Sequence, residues 1–297
     1  MNHCIATPTH KATAEPIFPH GFKGRLVRRL MARPLMLLPY GVYARVVRFV
    51  KTYKKQTAFV MPPLLPVAEG NVLRVWLTQD IDTQDCWRYL PEVIALQRQY
   101  GLRSTSHVLT KGPYTLDMAY LNALREEGFE IGLHGDWHDA AIGYRSRRTI
   151  KARLAKAKAM LGPQTFSYRA PALGVSPTLL EVLHELGFTT DSSLTYRCFY
   201  GSGVTSAKPF RYQGSGITEV PLALQDVHIL GDRVLSVEEI RTLMDVLVNA
   251  AAADDGVMVF NAHPIHIARH IDTYRMILEH LIERNVVFVK HSSELHA

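Results

Sequence analysis

The chain has 297 residues, 47% of them hydrophobic, and a formal net charge of +7, which suits one or two domains with a sizeable buried core. Its three cysteines, Cys4, Cys86 and Cys198, are widely separated and form no CxxC pair, so neither a disulfide framework nor a cysteine-ligated metal site is indicated and a reducing compartment is expected. The basic excess sits in residues 1–70, with eleven Lys and Arg against two acids, whereas the remaining 227 residues carry 23 basic against 25 acidic groups. A body this close to neutral, without a zinc finger or aromatic-basic interleaving, argues against a nucleic-acid partner.

The chain opens without a charged region followed by an apolar run, so it does not read as a secretory signal. The stretch FKGRLVRRLMARPLMLLPYGVYARVVRFVKTYKK contains no acid, and its apolar cluster is interrupted by Arg33, Arg45 and Arg48. That cluster is too short to span a bilayer. Residues 1–70 are therefore expected to be a basic extension, either packed on the body or touching an anionic membrane surface through residues 20–60. The prolines and Gly70 of VMPPLLPVAEGN mark the boundary with a second unit, residues 71–297.

Beyond the boundary, short apolar runs alternate with amphipathic helices. VLRVWLT (72–78) predicts a strand and WRYLPEVIALQRQYG a helix ending at Gly101. RSTSHVLT is strand-like, TLDMAYLNALREEG helical to Gly128, and FEIGLH the next strand. RSRRTIKARLAKAKAMLG predicts a helix, TFSYR a short strand, and SPTLLEVLHELG a helix with a serine cap, Pro177 first and Gly187 last. TTDSS reads as a strand end. Later come SVEEIRTLMDVLVNAAAA, whose Ser236 and Glu239 form a capping box, then the strand GVMVFNAH, the helix YRMILEHLIERN and the strand VVFVKH. About seven βα repeats predict a parallel α/β barrel or a doubly wound sheet.

Asp80, His134, Arg169, Asp191 and His263 each fall at or just past the C-terminal end of a predicted strand, where a barrel gathers its strand ends on one rim. Asp80 and Asp82 alternate in LTQDID, so both can lie on one side of an extended backbone. Two carboxylates brought together favour a cation between them, with one left free to take a proton. His134 and His138 of HGDWH are four apart, which on one helical turn would let both imidazoles close on a single ion. Arg169 in YRAP could orient a carboxylate through a bidentate pair, with Pro171 stiffening its loop. His263 in FNAHPIH, directly after a strand, could protonate a leaving group, with His266 nearby in support.

In this order, LTQDID, HGDWH, YRAP, TDSS and FNAHPIH resemble the motifs of the polysaccharide deacetylase family, the NodB-homology domain, over about residues 72–291. The resemblance implies an irregular, seven-stranded (β/α) barrel. It implies Asp80 as the base, Asp82, His134 and His138 as metal ligands, Arg169 as the residue orienting the base and His263 as the acid. Asp191 would help shape the groove and support its neighbours, and Asp136 and Trp137 would form a wall. Three departures stand out: Gln79 replaces an aromatic, Ile81 separates the aspartates, and HGDW replaces a serine or threonine after the first histidine.

The implied cofactor is one divalent transition ion, Zn²⁺ first, with Co²⁺, Ni²⁺ or Mn²⁺ as alternatives. The implied activity is removal of an N-acetyl or other small acyl group from a saccharide in surface polysaccharide or lipopolysaccharide synthesis. A cytoplasmic location follows, peripheral at the inner membrane face with a lipid-linked saccharide if the extension binds lipid. The alternatives are a deformylase or cyclic-amide hydrolase with the same site, and a catalytically silent saccharide-binding domain. The sequence sets no oligomeric state.

Overall fold

The computed structural model describes residues 70–196, 204–212, 214–230 and 235–296. The expected basic extension and its membrane contact therefore lie, Gly70 apart, outside the described residues.

The chain alternates strands and helices: β1 (Arg74–Ile81), α1 (Gln84–Gln99), β2 (Thr105–Leu109), α2 (Met118–Glu126), β3 (Glu130–Gly135), α3 (Arg147–Leu161), β4 (Ser167–Tyr168), α4 (Pro177–Glu185) and β5 (Thr190–Asp191). Four short strands follow, β6 (Phe210–Arg211), β7 (Thr218–Glu219), β8 (Leu222–Gln225) and, after α5 (Val237–Ala253), β9 (Met258–Ala262). The chain ends with α6 (Pro264–Arg269), α7 (Ile271–Glu283) and β10 (Val287–Val289). The strands lie in the order β6-β7-β5-β4-β3-β2-β1-β9-β8, with β10 against the first half of β1. Only β6 runs antiparallel among the described pairings.

β7 pairs with β5, and β8, two residues further on, pairs with β9. The two are one extended run interrupted at Pro221, which cannot donate to a ladder. The path thus returns to its start. β1 to β5, the β7–β8 run and β9 are the seven staves of an irregular (β/α) barrel, the architecture the sequence resemblance implies.

Alternation along the staves divides the core. From β1, Val75 and Leu77 join the apolar layer under α5 and α7, while Trp76 belongs to a cluster inside the barrel with Val220, Leu222, Val257, Val259, Val289 and Leu295. This cluster is the floor. The turn Ser292–Leu295 crosses beneath it, and buried Glu130 holds the turn by accepting from Ser292 N–H and Oγ, with Thr105 Oγ1 as a third donor. Above the floor the interior turns polar: Thr78 and Asp80 from β1, His107 from β2, His134 from β3 and Asn261 from β9, all buried. An apolar floor under a polar rim places the chemistry at the C-terminal end of the barrel.

One sequence expectation shifts. β1 runs to Ile81 rather than ending at Thr78, because Thr78 to Ile81 pair with Thr105 to Val108 of β2. Gln79, on the opposite face of β1 from Asp80, is buried toward the helices with its side-chain amide satisfied by Ser104 and Ser106. Asp80 is therefore a strand residue. The expected capping box at Ser236 and Glu239 is present.

Gly132 marks how tightly the interior is filled, for a Cβ there would lie 2.5 Å from both His107 Cδ2 and Ser167 Oγ. Gly132→Ala is expected to destabilise the fold by about 1–3 kcal/mol through overpacking. A thermal melt reads this directly as a Tm lowered by several degrees, at roughly 2–4 °C per kcal/mol; an unchanged Tm would contradict this packing.

Candidate active site and metal centre

Arg169, just past β4, is fully buried. A guanidinium without water must have every donor satisfied and its charge paired. Its Nε donates to Ser192 O at 2.8 Å and its Nη2 to Ser192 Oγ at 2.9 Å. Its Nη1 reaches Asn261 Oδ1 (2.7 Å), Thr78 Oγ1 (2.8 Å) and Asp80 Oδ1 (3.2 Å). The pair with Asp80 is thus single-pronged, not the bidentate fork expected, because Ser192 occupies the other edge. Asp80 Oδ2 accepts from Asn261 Nδ2 at 2.7 Å, so Asn261 braces both partners.

The TDSS stretch explains how Arg169 is held. Ser193 Oγ donates to Asp191 Oδ1 and accepts from Ala170 N–H, tying β5 to the segment that carries Arg169. Asp191 is fully buried beside buried Glu219, and burial raises its carboxyl to about 6. Of the two tasks expected for Asp191, this placement fits support; a fully buried carboxyl lines no groove.

Asp82 follows β1 directly, and Thr83 caps α1 by accepting from Cys86 N–H. Tyr114 steadies the same turn, donating to Ile81 O and accepting from Leu109 N–H. Around Asp82 stand three imidazoles: His134 Nε2 at 3.0 Å from Oδ1, and His138 Nε2 and His263 Nε2 each at 3.5 Å from Oδ2. His134 Nδ1 donates to Arg169 O at 2.8 Å, which leaves its Nε2 aimed at Asp82.

The reach of His138 back to His134 does not come from a helical turn. His134 lies on β3, and Gly135, at φ +114°, reverses the chain, bringing the two ring centroids to 5.4 Å. A side chain at Gly135 would be strained by that φ and would crowd Trp137 O and the buried Pro171. Pro171 is thus a packing partner of the ligand loop as well as a brace of its own.

Asp136 is a correction to the expected wall. It is buried, and Arg153 of α3 grips it at 2.5 Å through Nη2 while holding Asp139 at 2.6 Å through Nη1. The two acids flank Trp137 and His138, so Arg153 clamps the loop that carries the second imidazole. Trp137 itself is 54% exposed and stands on the rim.

Sequence reasoning missed Asp226. It follows β8, is fully buried, and accepts from the ring Nδ1–H of His263 (2.7 Å) and from its backbone N–H (2.6 Å). His266 Nδ1 lies 3.3 Å from the same carboxylate. Burial alone would raise Asp226, but the imidazole of His263, with His266, outweighs it and holds the carboxyl at about 2. His263 is correspondingly raised: burial opposes its charge, and Asp226 overcomes that. The only available signal was a lone acid after the apolar run LAL.

The donor set fits a divalent ion. Asp82, His134 and His138 can each offer one atom within 4.8 Å of the others. Asp82 Oδ1 is buried without hydrogen-bond geometry to any partner despite His134 at 3.0 Å, so two electron-rich atoms face one another. One carboxylate and two neutral imidazoles leave open positions on such an ion. Asp226, His263 and His266 also cluster, but the contacts of Asp226 to His263 are hydrogen bonds that commit the carboxylate. The rim thus gathers Asp80, Asp82, His134, His138, Arg169 and His263; His266 stands behind His263, and Asp136, Pro171 and Asp191 lie beneath.

The WbmS-like polysaccharide deacetylase family matches residues 77–277. The chain belongs to this family. No curated protein matches it in sequence. Among solved structures, this polysaccharide deacetylase is similar to a Mycobacterium smegmatis protein described as a polysaccharide deacetylase, with TM-score 0.60 and 17% identity over 80% of this chain and 93% of that one. It is also similar to the Xyl-CE4 domain of a multidomain xylanase from the hindgut metagenome of Trinervitermes trinervoides, with TM-score 0.50 and 16% identity over 76% and 90%. A third likeness is a CE4-family pseudoenzyme from Bacillus anthracis, with TM-score 0.51 and 13% identity over 80% and 69%. These likenesses show the barrel; the chemistry rests on the side chains above.

Arg153→Met removes the clamp and leaves every imidazole in place. Zinc affinity, measured by competition with a chromophoric chelator, is expected to fall on the order of 10–100-fold, as for loss of an outer-shell partner. Wild-type affinity in this variant would show that the loop needs no clamp.

Proposed function

We propose that this polysaccharide deacetylase is a metal-dependent enzyme that removes an N-acetyl group from a saccharide. The observation that carries the reading is the convergence on one rim of a carboxylate held by Arg169, an Asp–His–His ligand set and an imidazole held by Asp226. A barrel that only recognised sugars would have no need to bury a guanidinium against Asp80 or to spend a buried carboxylate on fixing one imidazole.

Asp82, His134 and His138 would hold the ion, with Zn²⁺ the first choice for two imidazoles and a carboxylate and Co²⁺, Ni²⁺ or Mn²⁺ as alternatives. When bound, such an ion supplies Lewis acidity to the acyl carbonyl and makes nearby water more acidic. Asp80 takes a proton from the attacking water; Arg169 and Asn261 hold its two oxygens while it does so. His263, its Nδ1–H engaged by Asp226, delivers the Nε2 proton to the leaving nitrogen as the C–N bond breaks. The products are acetate and a free amine on the sugar.

Support for a saccharide comes from the family and from the β3–α3 loop. Trp137 and Tyr144 expose 54% and 42% of their surface there, and such flat apolar faces suit the C–H faces of a sugar ring. The reading extends to a substrate of surface polysaccharide or lipopolysaccharide synthesis, lipid-linked at the cytoplasmic membrane face. Its support is the acid-free basic stretch of residues 22–55, which would favour an anionic surface. Among the described residues no helix is long and apolar enough to cross a membrane.

Asp80→Asn keeps the size of the side chain and one of its two acceptor oxygens but not the base. Zinc-loaded wild type is expected to release acetate, read by mass spectrometry, from one or more members of a panel of N-acetylated and N-formylated sugars. The variant should bind zinc as the wild type does while turnover falls by about 10²–10⁴-fold. Undiminished turnover would remove Asp80 from the role, and release of formate alone would move the substrate class to formylated sugars.

A further inference from the structure

His107, in the middle of β2, is fully buried, and neither ring nitrogen has a hydrogen-bond partner within the protein. Buried polar groups without partners are few in folded proteins, and each asks for a reason. Packing does not supply one, since a phenyl ring would fill the same space without a polar atom. The space is also deliberately kept, because Gly132 is the residue that lets the ring in. The edge of the imidazole meets Trp76 on the floor side, with centroids 6.3 Å apart, and Nδ1 lies 3.7 Å from Asp80 Oδ1.

The reason lies with Asp80. Arg169 Nη1 has two hydrogens, yet three oxygens stand within its reach, and Asp80 Oδ1, at 3.2 Å, is the farthest of them. That oxygen therefore receives the poorest share. Asp80 Oδ2 has a full donor in Asn261. Burial, with the nearby charge of Arg169, lowers the pKa of His107 and keeps the ring neutral, so one ring nitrogen carries a proton and the other a lone pair.

We propose that His107 is a positioning residue for the base, its Nδ1–H donating to Asp80 Oδ1 in the working enzyme. Closing the pair by roughly 0.7 Å gives an ordinary N–H···O distance. Each carboxylate oxygen then has a neutral donor of its own, Asn261 on Oδ2 and His107 on Oδ1. The plane of the carboxylate is fixed, and with it the direction of the lone pairs left for the reacting water. This assignment rests on the reading of Asp80 as the base.

His107→Phe keeps the packing and removes the donor; His107→Asn keeps a donor N–H. In zinc-loaded enzyme, kcat of the Phe variant is expected to fall on the order of 10–100-fold, as for a misplaced catalytic group. KM, zinc affinity and Tm should stay at wild-type values, and the Asn variant should recover part of kcat. A wild-type kcat in the Phe variant, or an Asn variant no better than the Phe one, overturns the assignment. A readout independent of turnover keeps it separate from the functional reading: the long-range ¹H–¹⁵N spectrum of zinc-loaded protein labelled at histidine. It should show His107 as the neutral Nδ1–H tautomer, with a proton resonance that moves in Asp80→Asn. An Nε2–H tautomer overturns the contact even if no acetylated sugar is turned over, and the Nδ1–H tautomer upholds it in the same case.

Discussion

The rim of the barrel depends on one buried charge, the guanidinium of Arg169. Fully removed from water, it must collect partners from separate staves: Thr78 and Asp80 from β1, Ser192 from the end of β5, and Asn261 from β9. Its backbone carbonyl meanwhile holds His134 Nδ1. A single residue thus ties the carboxylate proposed as base to an imidazole proposed as metal ligand. Leaving a buried charge unpaired costs about 3–5 kcal/mol, so the geometry of this corner is enforced by the fold.

The same logic repeats at smaller scale. Asp226 spends both oxygens on His263, and Arg153 spends its fork on Asp136 and Asp139. Asp80, His263 and the loop that carries His138 are each held by side chains that would not themselves meet substrate or ion. The polar rim is made tolerable by the floor beneath it, where Trp76, Val259 and Leu295 seal the barrel, and by the apolar layers under the helices. The same barrel occurs in a protein described as a pseudoenzyme and in a domain of a xylanase.

Much of the site was legible in the sequence because each key residue follows an apolar run long enough to read as a strand. VLRVWLT led to Asp80 and Asp82, FEIGLH to His134, and GVMVFNAH to His263. Asp226 was not legible, because β6, β7 and β8 have only two to four residues each, too few for a period to show. Arg153 escaped for a different reason: it lies on the amphipathic helix α3, where a lone arginine looks like any solvated charge. The spacing of His134 and His138 gave the right partners for the wrong reason, since Gly135 rather than a helical turn brings them together. Asp136 was misplaced because a residue between two ligands in sequence was taken to lie between them in space.

The central claim is that Asp82, His134 and His138 form a site for a single ion beside Asp80 and His263. Anomalous diffraction at the zinc edge, from crystals of the zinc-loaded protein, tests it without any assumption about substrate. One peak is expected, with Asp82 oxygen and the Nε2 atoms of His134 and His138 at about 2.0–2.2 Å and Asp226 still hydrogen-bonded to His263. A peak held instead by Asp226, His263 and His266, or no peak at a zinc concentration that saturates the protein in solution, would contradict it.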